Sequence, residues 1–177
     1  MTTRGDARLT IRQATVADLP HVVELRLALL REHARNPIYR RLRPDAAERA
    51  ERLYMTQLQS SSETMFLAER GTEVVGLLRC VVSAGSPLLV PAQYAYVSSV
   101  YVVPRARQSG VLHALLGAAE TWCAERGLTE MRLHNAADNP IAGEVWERLG
   151  FEVVEELRVR QLPLHGESGI GQAAAKP

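Results

Sequence analysis

The chain has 177 residues, a mass of 19.6 kDa and a formal charge of +1, with 21 basic and 20 acidic side chains. This length is typical of one globular domain, and 46% hydrophobic with 23% charged residues is the composition of such a domain. The near balance of charge argues against a nucleic-acid-binding protein, which needs a clear basic excess. The sequence also lacks the run of about 20 apolar residues that a membrane helix requires, so we expect neither nucleic acid nor membrane as a partner.

The two cysteines, Cys80 and Cys123, show none of the paired spacings of a zinc site. Both lie among apolar residues, so we expect buried thiols in a reducing compartment and no metal. Residues 1–8 are polar and contain no apolar signal segment. These features together predict a cytoplasmic protein.

The first third of the chain predicts a short strand followed by two helices. Residues 9–12 alternate apolar and polar side chains, as a half-buried strand does. Thr15 precedes Asp18 by three residues, a spacing typical of a helix start, and the helix is expected to run to about residue 33. A second helix is expected from Pro44 and Asp45 to about residue 59.

The remainder alternates strands with helices. Strands are expected at 65–69, 74–82, 94–103, 129–134, 151–155 and 157–162, and helices at 111–126 and 140–149. Hairpins favour antiparallel pairing early in the chain, and helical crossovers favour parallel pairing later. The prediction is a mixed α/β fold, with a central mixed sheet of about seven strands and helices on both faces. One domain is expected over residues 1–163, followed by a flexible tail over residues 164–177.

One segment indicates anion binding. A strand ends at Pro104, a short basic loop with Arg107 and Gly110 follows, and a helix begins at Val111. The start of a helix offers several unpaired N–H groups and a partial positive charge, which suit a phosphate. Arg107 adds forked donors, and Gly110 allows the backbone to approach a ligand closely.

The sequence Arg107-Gln108-Ser109-Gly110-Val111-Leu112 resembles motif A of the GNAT superfamily, the acyl-CoA-dependent N-acetyltransferases. Residues 139–151, which end in Leu-Gly-Phe, resemble a later helix of the same family. The order of elements also matches from residue 9 to residue 162. The resemblance implies a GNAT-like splayed sheet and acetyl-CoA as co-substrate.

The resemblance also assigns roles to residues of this chain. The exposed backbone of residues 100–102 would pair with the pantetheine arm, and a backbone N–H near Val100 would stabilise the oxyanion. Asn139 would reach the pantetheine, and Trp146 is either a wall over that arm or a core residue. The cofactor-binding set is Val100, Tyr101, Val102, Arg107, Gln108, Ser109, Gly110, Val111, Leu112, Asn139 and Trp146.

Three positions depart from the family pattern. Leu112 stands where the family has Gly or Ala, so it either crowds the phosphates or points into the core. Trp146 stands where many members have the tyrosine proposed as general acid, and an indole cannot supply that proton. Tyr96 stands near the position where many members have a glutamate that acts as base, and a phenol is a poor base.

The catalytic candidates are therefore Tyr96 and His134. Tyr96 either orients the amine or a water, or packs as an ordinary half-buried strand residue. His134 closes the neighbouring strand, where it is either a base or a surface residue. The basic stretch of Arg40, Arg41 and Arg43 is either a recognition site for a carboxylate-bearing substrate or a solvated loop.

The function expected from this resemblance is acetyl transfer from acetyl-CoA to a primary amine of a small molecule or peptide, by direct attack in a ternary complex. The alternative is a catalytically degenerate module that binds acyl-CoA or a protein partner. The departures at Tyr96, Leu112 and Trp146 motivate that alternative. A homodimer through the final strand pair, residues 151–162, is a further expectation by analogy.

Overall fold

The computed structural model describes residues 8–162 of the chain. Five strands form one sheet in the order β1-β2-β3-β4-β5, and four α-helices flank it. In chain order the elements are β1 Leu9–Gln13, α1 Leu19–Glu32, α2 Ala46–Gln57, β2 Glu63–Arg70, β3 Glu73–Ala84, β4 Gln93–Val102, α3 Val111–Ala124, β5 Met131–Leu133 and α4 Pro140–Arg148. No helix within residues 8–162 has the length and apolar character needed to cross a membrane.

The sheet is mixed, as predicted. β1 to β4 pair with their neighbours in antiparallel register, and β5 pairs with β4 in parallel. The parallel pair is joined through α3, because parallel strands need a crossover connection. The predicted tail, residues 164–177, lies outside the described residues.

The core has two parts, one on each face of the sheet. On one face, side chains of α3 such as Leu115 pack against Leu78 and Val97. On the other face, Val22 of α1 packs in a cluster with Leu67 and Leu77. Neighbouring residues such as Leu77 and Leu78 enter opposite clusters because strand side chains alternate between faces.

Gly76 allows α3 to lie close to the sheet. A Cβ at this position would lie 3.0 Å from Val111 Cγ1 and 3.1 Å from Leu115 Cδ1. Val111 is the first residue of α3, so the space left by Gly76 accommodates the start of that helix. Close packing of this kind leaves little room for an added methyl group.

The prediction of two final strands, and with them a seven-stranded sheet, is not confirmed. Residues 151–162 pair with no strand of the described chain, and the sheet ends at β5. The side chains of this segment are largely exposed: Val153 78%, Val154 81%, Leu157 70%, Val159 56% and Leu162 76%. The strand pattern is present in the sequence, but the three-residue β5 offers only a short edge for pairing.

Candidate active site

The sheet opens between β4 and β5. The two strands pair only over residues 95–97 of β4, whereas β3 pairs with β4 as far as Val102. A bulge at Ser99, whose φ is +52°, interrupts the pairing of β4 with β3. The outer edge of β4 from residue 98 onward therefore faces no strand of the described chain, and residues 100–102 lie on this free edge. Its backbone groups can pair with an extended ligand.

A loop with two left-handed residues follows the free edge. Gln108 has φ +58° and Gly110 has φ +80°, and α3 begins at the next residue. The first helical bond runs from the Ala114 N–H to the Gly110 carbonyl at 3.0 Å, so the amides of residues 111–113 precede the helical ladder. Successive N–H groups in such a turn, at the positive end of a helix, form a concave site for an anion.

Arg107, which the sequence predicts to contact a phosphate, has three partners within the described chain. Its Nε donates to the Val102 carbonyl at 2.9 Å, and its Nη2 lies 2.7 Å from Glu32 Oε2. The guanidinium also stands over the Tyr101 ring, 5.6 Å from its centroid. The carboxylate at the end of α1 attracts the guanidinium, so Arg107 covers part of the free β4 edge.

A residue that sequence reasoning missed supports the loop. Arg70, the last residue of β2, donates from Nη2 to Ser109 Oγ at 2.8 Å and to the Ser109 carbonyl at 3.2 Å. Ser109 Oγ in turn donates to the Ala106 carbonyl at 2.7 Å. Arg70 is 39 positions away in sequence, so only the folded chain shows this contact.

The two catalytic candidates lie together. Tyr96 Oη is 2.7 Å from His134 Nδ1, and the rings meet edge to face with centroids 5.6 Å apart. The contact follows from the parallel register, which sets Tyr96 opposite Arg132 and brings His134 to the end of β5. Burial raises the pKa of the Tyr96 phenol above its ordinary value, so the hydroxyl stays protonated at neutral pH.

Three further residues that the sequence predicts to bind the cofactor lie on α3, on α4 or at the N-cap of α4. Asn139 is the N-cap of α4, where its Oδ1 accepts from the Ala142 N–H at 3.1 Å. Trp146 is half-buried and packs edge-on against Phe151, with ring centroids 5.4 Å apart. Leu112 is half-buried, one helical turn before the buried Leu116. Within residues 8–162, no group of three His, Cys, Asp or Glu side chains could hold a metal ion.

An opened mixed sheet, followed by a loop whose free amides precede a helix, is an arrangement suited to an extended ligand with an anionic end. The family model for the acetyltransferase (GNAT) family matches residues 22–151. The chain belongs to that family, and the resemblance seen in the sequence is confirmed.

Relatives and a solved structure agree with this assignment. The aminoglycoside N(6')-acetyltransferase type 1 of Salmonella typhimurium is 32% identical over 62 residues, which cover 35% of this chain and 43% of that protein. Its Stenotrophomonas maltophilia counterpart is 26% identical over 162 residues, which cover 88% of this chain and 94% of that protein. AAC(6')-Iy, solved in complex with the bisubstrate analogue CoA-S-monomethyl-acetylneamine, has a TM-score of 0.70 and 23% identity. That match covers 88% of this chain and 99% of AAC(6')-Iy, and it shows a shared fold.

Proposed function

We propose that this protein transfers an acetyl group from acetyl-CoA to a primary amine of a small molecule or peptide, by direct attack in a ternary complex. One observation carries the proposal: the elements needed for this reaction follow one another along β4. Tyr96, in the first half of β4, meets His134 at the end of β5. The free edge at 98–102 continues β4, and the loop at 107–110 follows it. At about 3.3 Å per residue, the path from Tyr96 to Val102 is about 20 Å long.

Binding would rest mainly on the backbone. The amides of Gln108, Ser109, Gly110, Val111 and Leu112 would hold the pyrophosphate of acetyl-CoA. The edge formed by Val100, Tyr101 and Val102 would pair with the pantetheine, and the Val100 N–H would stabilise the developing oxyanion. Asn139 and Trp146 are proposed to lie beside the pantetheine. Holding thioester and amine together would supply much of the rate enhancement.

Proton transfer would use Tyr96 and His134. The amine nitrogen attacks the thioester carbonyl carbon, the carbon–sulfur bond breaks, and the amine loses one proton. His134, exposed to solvent, accepts that proton, and the protonated Tyr96 hydroxyl donates one to the departing sulfur. Exchange with water restores both groups, so the net change is amine plus thioester to amide plus thiol. In this scheme Tyr96 is the general acid, so no proton is needed from the position of Trp146.

Thermal melts with acetyl-CoA, CoA and dephospho-CoA test the binding step. A ligand at about 100 times its dissociation constant adds about 2.7 kcal/mol to the free energy of unfolding. For a chain of this size, the melting temperature should rise by about 5–10 °C. Gly110→Asp should abolish the shift, because it combines an unfavourable φ with a negative charge at the anion site. Gly117→Ala in α3, where a Cβ meets open space, is the matched control and should keep the shift. No shift in the wild-type protein would contradict acetyl-CoA binding.

The alternative is a degenerate module that binds acyl-CoA or a protein partner without turnover. Trp146 in place of the usual tyrosine favours it. Thiol release from acetyl-CoA above background with any amine would exclude it. A melting shift with no thiol release across an amine panel would support it.

We also propose a homodimer, as the sequence suggested. Apolar side chains over residues 151–162 are exposed, and the outer edge of β5 has no partner within the described chain. A second copy could satisfy both, because an extended segment can add to an open sheet edge. Light scattering after size exclusion should give a dimer mass, and Val153→Lys with Val159→Lys should give a monomer. A wild-type monomer at micromolar concentration would contradict this.

A cytoplasmic location is proposed on two grounds. Acetyl-CoA, the proposed co-substrate, is a metabolite of the cell interior. The buried cysteines Cys80 and Cys123 are free, with their sulfur atoms 3.9 Å apart, as expected in a reducing compartment. Cell fractionation of the source organism would test it.

A further inference from the structure

One stretch of the chain concentrates positive charge beside the proposed active site. Residues 26–43 run from the middle of α1 to the approach of α2 and are named here the basic segment. They contain six arginines and one glutamate, although the whole chain carries only +1. The glutamate is Glu32, which is already bound to Arg107. The arginines are Arg26, Arg31, Arg35, Arg40, Arg41 and Arg43.

The basic segment lies against the opening between β4 and β5. Asn36 Nδ2 donates to Asp138 Oδ1 at 3.3 Å, which ties the segment to the loop that follows β5. Burial is the main cause of the raised pKa of Tyr96; Tyr39 of the segment adds to the rise, and the charge of Arg26 opposes it. Helix α1, which carries Arg26, packs directly against β4, the strand that carries Tyr96.

Most of this charge is not neutralised within residues 8–162. Arg26 is half-buried and forms no ion pair there, and Arg40 and Arg41 are exposed and form none. Arg41 instead donates to the neutral Gln161 at 3.2 Å. Arg43 does have a carboxylate partner, Asp45. Arg26, Arg40 and Arg41 therefore keep their charge and their forked donors available to an anionic group.

We infer that the acceptor is a primary amine that also carries a carboxylate, held by Arg26 with Arg40 and Arg41. The inference rests on the proposed acetyltransferase function and names its substrate class. The forked guanidinium can donate to both oxygens of a carboxylate, whereas it repels a cation. Aminoglycosides, on which the relatives are named to act, carry several ammonium groups. The arginines of the basic segment would repel such a polycation. Asp138, which accepts from Asn36, is an acidic residue near the opening.

The same charges assist the chemistry. A positive neighbour disfavours the ammonium form of an amine, so the acceptor loses its proton more readily near Arg26. The attacking species is the neutral amine, and this chain has a tyrosine near the position of the usual glutamate base. A basic acceptor site therefore compensates in part for the missing carboxylate.

A matched series of acceptors tests the inference. 4-Aminobutanoate, 4-aminobutanamide and 1,4-diaminobutane have the same length and end in a negative, neutral or positive group. A dipeptide with a free carboxyl terminus and its amide form a second pair. Thiol release from acetyl-CoA would be measured for wild type, Arg26→Gln, the double variant Arg40→Gln with Arg41→Gln, and Arg52→Gln. Arg52→Gln, on the exposed surface of α2 and outside the basic segment, removes the same charge.

The expected result is a kcat/KM at least tenfold higher for the acids than for the amides, and higher still than for the diamine. Arg26→Gln should reduce this preference to about threefold or less without changing the KM for acetyl-CoA, and Arg52→Gln should retain it. Equal or better use of the diamine overturns the inference and leaves the acetyltransferase function intact.

A binding measurement covers the case in which no acceptor in the series turns over. Melts of the CoA-loaded protein with each acceptor should then show stabilisation by the acids alone, lost in Arg26→Gln. Absence of that difference overturns the inference. Absence of any shift with acetyl-CoA itself would instead contradict the proposed function.

Discussion

The hydroxyl of Tyr96 and Nδ1 of His134 lie 2.7 Å apart, across the last paired residues of β4 and β5. Just beyond this contact, the two strands separate. The pair therefore stands where the opening of the sheet begins, between the free edge of β4 and solvent.

The first prediction concerns this pair. Tyr96→Phe should lower kcat by about 10- to 100-fold with little change in the KM for acetyl-CoA, because it removes a proton donor but no cofactor contact. His134→Asn, which can keep a hydrogen bond to Tyr96 but cannot act as a base, should lower kcat by a similar factor. The double variant should lower kcat little more than the more impaired of the two single variants does.

The control for that experiment is Tyr54→Phe, a buried phenol of α2 in the core, which should keep full activity. Burial raises the pKa of the Tyr96 phenol above its ordinary value, so the phenol stays protonated at neutral and mildly alkaline pH. Activity should therefore not fall through phenol ionisation between pH 7 and pH 9. Additive losses in the double variant would show that the two side chains act independently.

The second prediction concerns the ion pair between Arg107 and Glu32. Arg107 Nε donates a hydrogen bond to the carbonyl of Val102, which lies on the edge proposed to bind pantetheine. Glu32→Gln should free Arg107 and tighten acetyl-CoA binding by about two- to fivefold, the range of a partly exposed ion pair. Isothermal titration measures the dissociation constant, with Glu24→Gln on the exposed surface of α1 as control. Weaker binding by Glu32→Gln would mean that the pair organises the site.

The third prediction concerns Arg70. Arg70→Gln should loosen the loop around Ser109 and raise the KM for acetyl-CoA by about tenfold, because two hydrogen bonds to that residue are lost. The kcat should change little, since Arg70 acts through the loop. Arg49→Gln removes an exposed ion pair of α2 and should leave both constants unchanged. An unchanged KM in Arg70→Gln would show that the loop holds its shape alone.

The fourth prediction concerns stability in acid. Asp18 is 7% exposed. Its carboxylate accepts hydrogen bonds from both Nη atoms of Arg12, at 2.7 and 2.8 Å, and from the Thr15 N–H. The Arg12 hydrogen bonds are the main cause that holds the pKa of Asp18 below its ordinary value. A carboxyl with a lower pKa in the folded state stabilises the fold above its unfolded pKa, near 4, and loses that contribution as pH falls further.

The wild-type melting temperature should therefore drop steeply below about pH 4, and part of that drop should be absent in Asp18→Asn. At neutral pH, Asp18→Asn should cost about 2 kcal/mol. Glu51→Gln removes an exposed carboxylate of α2 that forms no ion pair within residues 8–162, and it is the control. A parallel pH dependence for wild type and Asp18→Asn would contradict the assignment.

The sequence by itself determined the order of the elements from β1 to α4, the family, and the place of the loop proposed to bind an anion. Local signals carry these features: the apolar stripe of α3, the glycine at the helix start and the stop at Pro104 are readable without knowing any partner. It also named Tyr96, from its place near the family's glutamate position, and His134, from its place at the end of the neighbouring strand.

The tertiary structure alone decided which of these groups meet. The contact of Tyr96 with His134, the hold of Arg70 on Ser109 and the attraction of Glu32 for Arg107 join residues at least 38 positions apart. The bulge at Ser99 and the missing final strands depend on pairing partners. Strand pairing and charge pairing are non-local interactions, and a sequence pattern records the capacity for them without recording the partner.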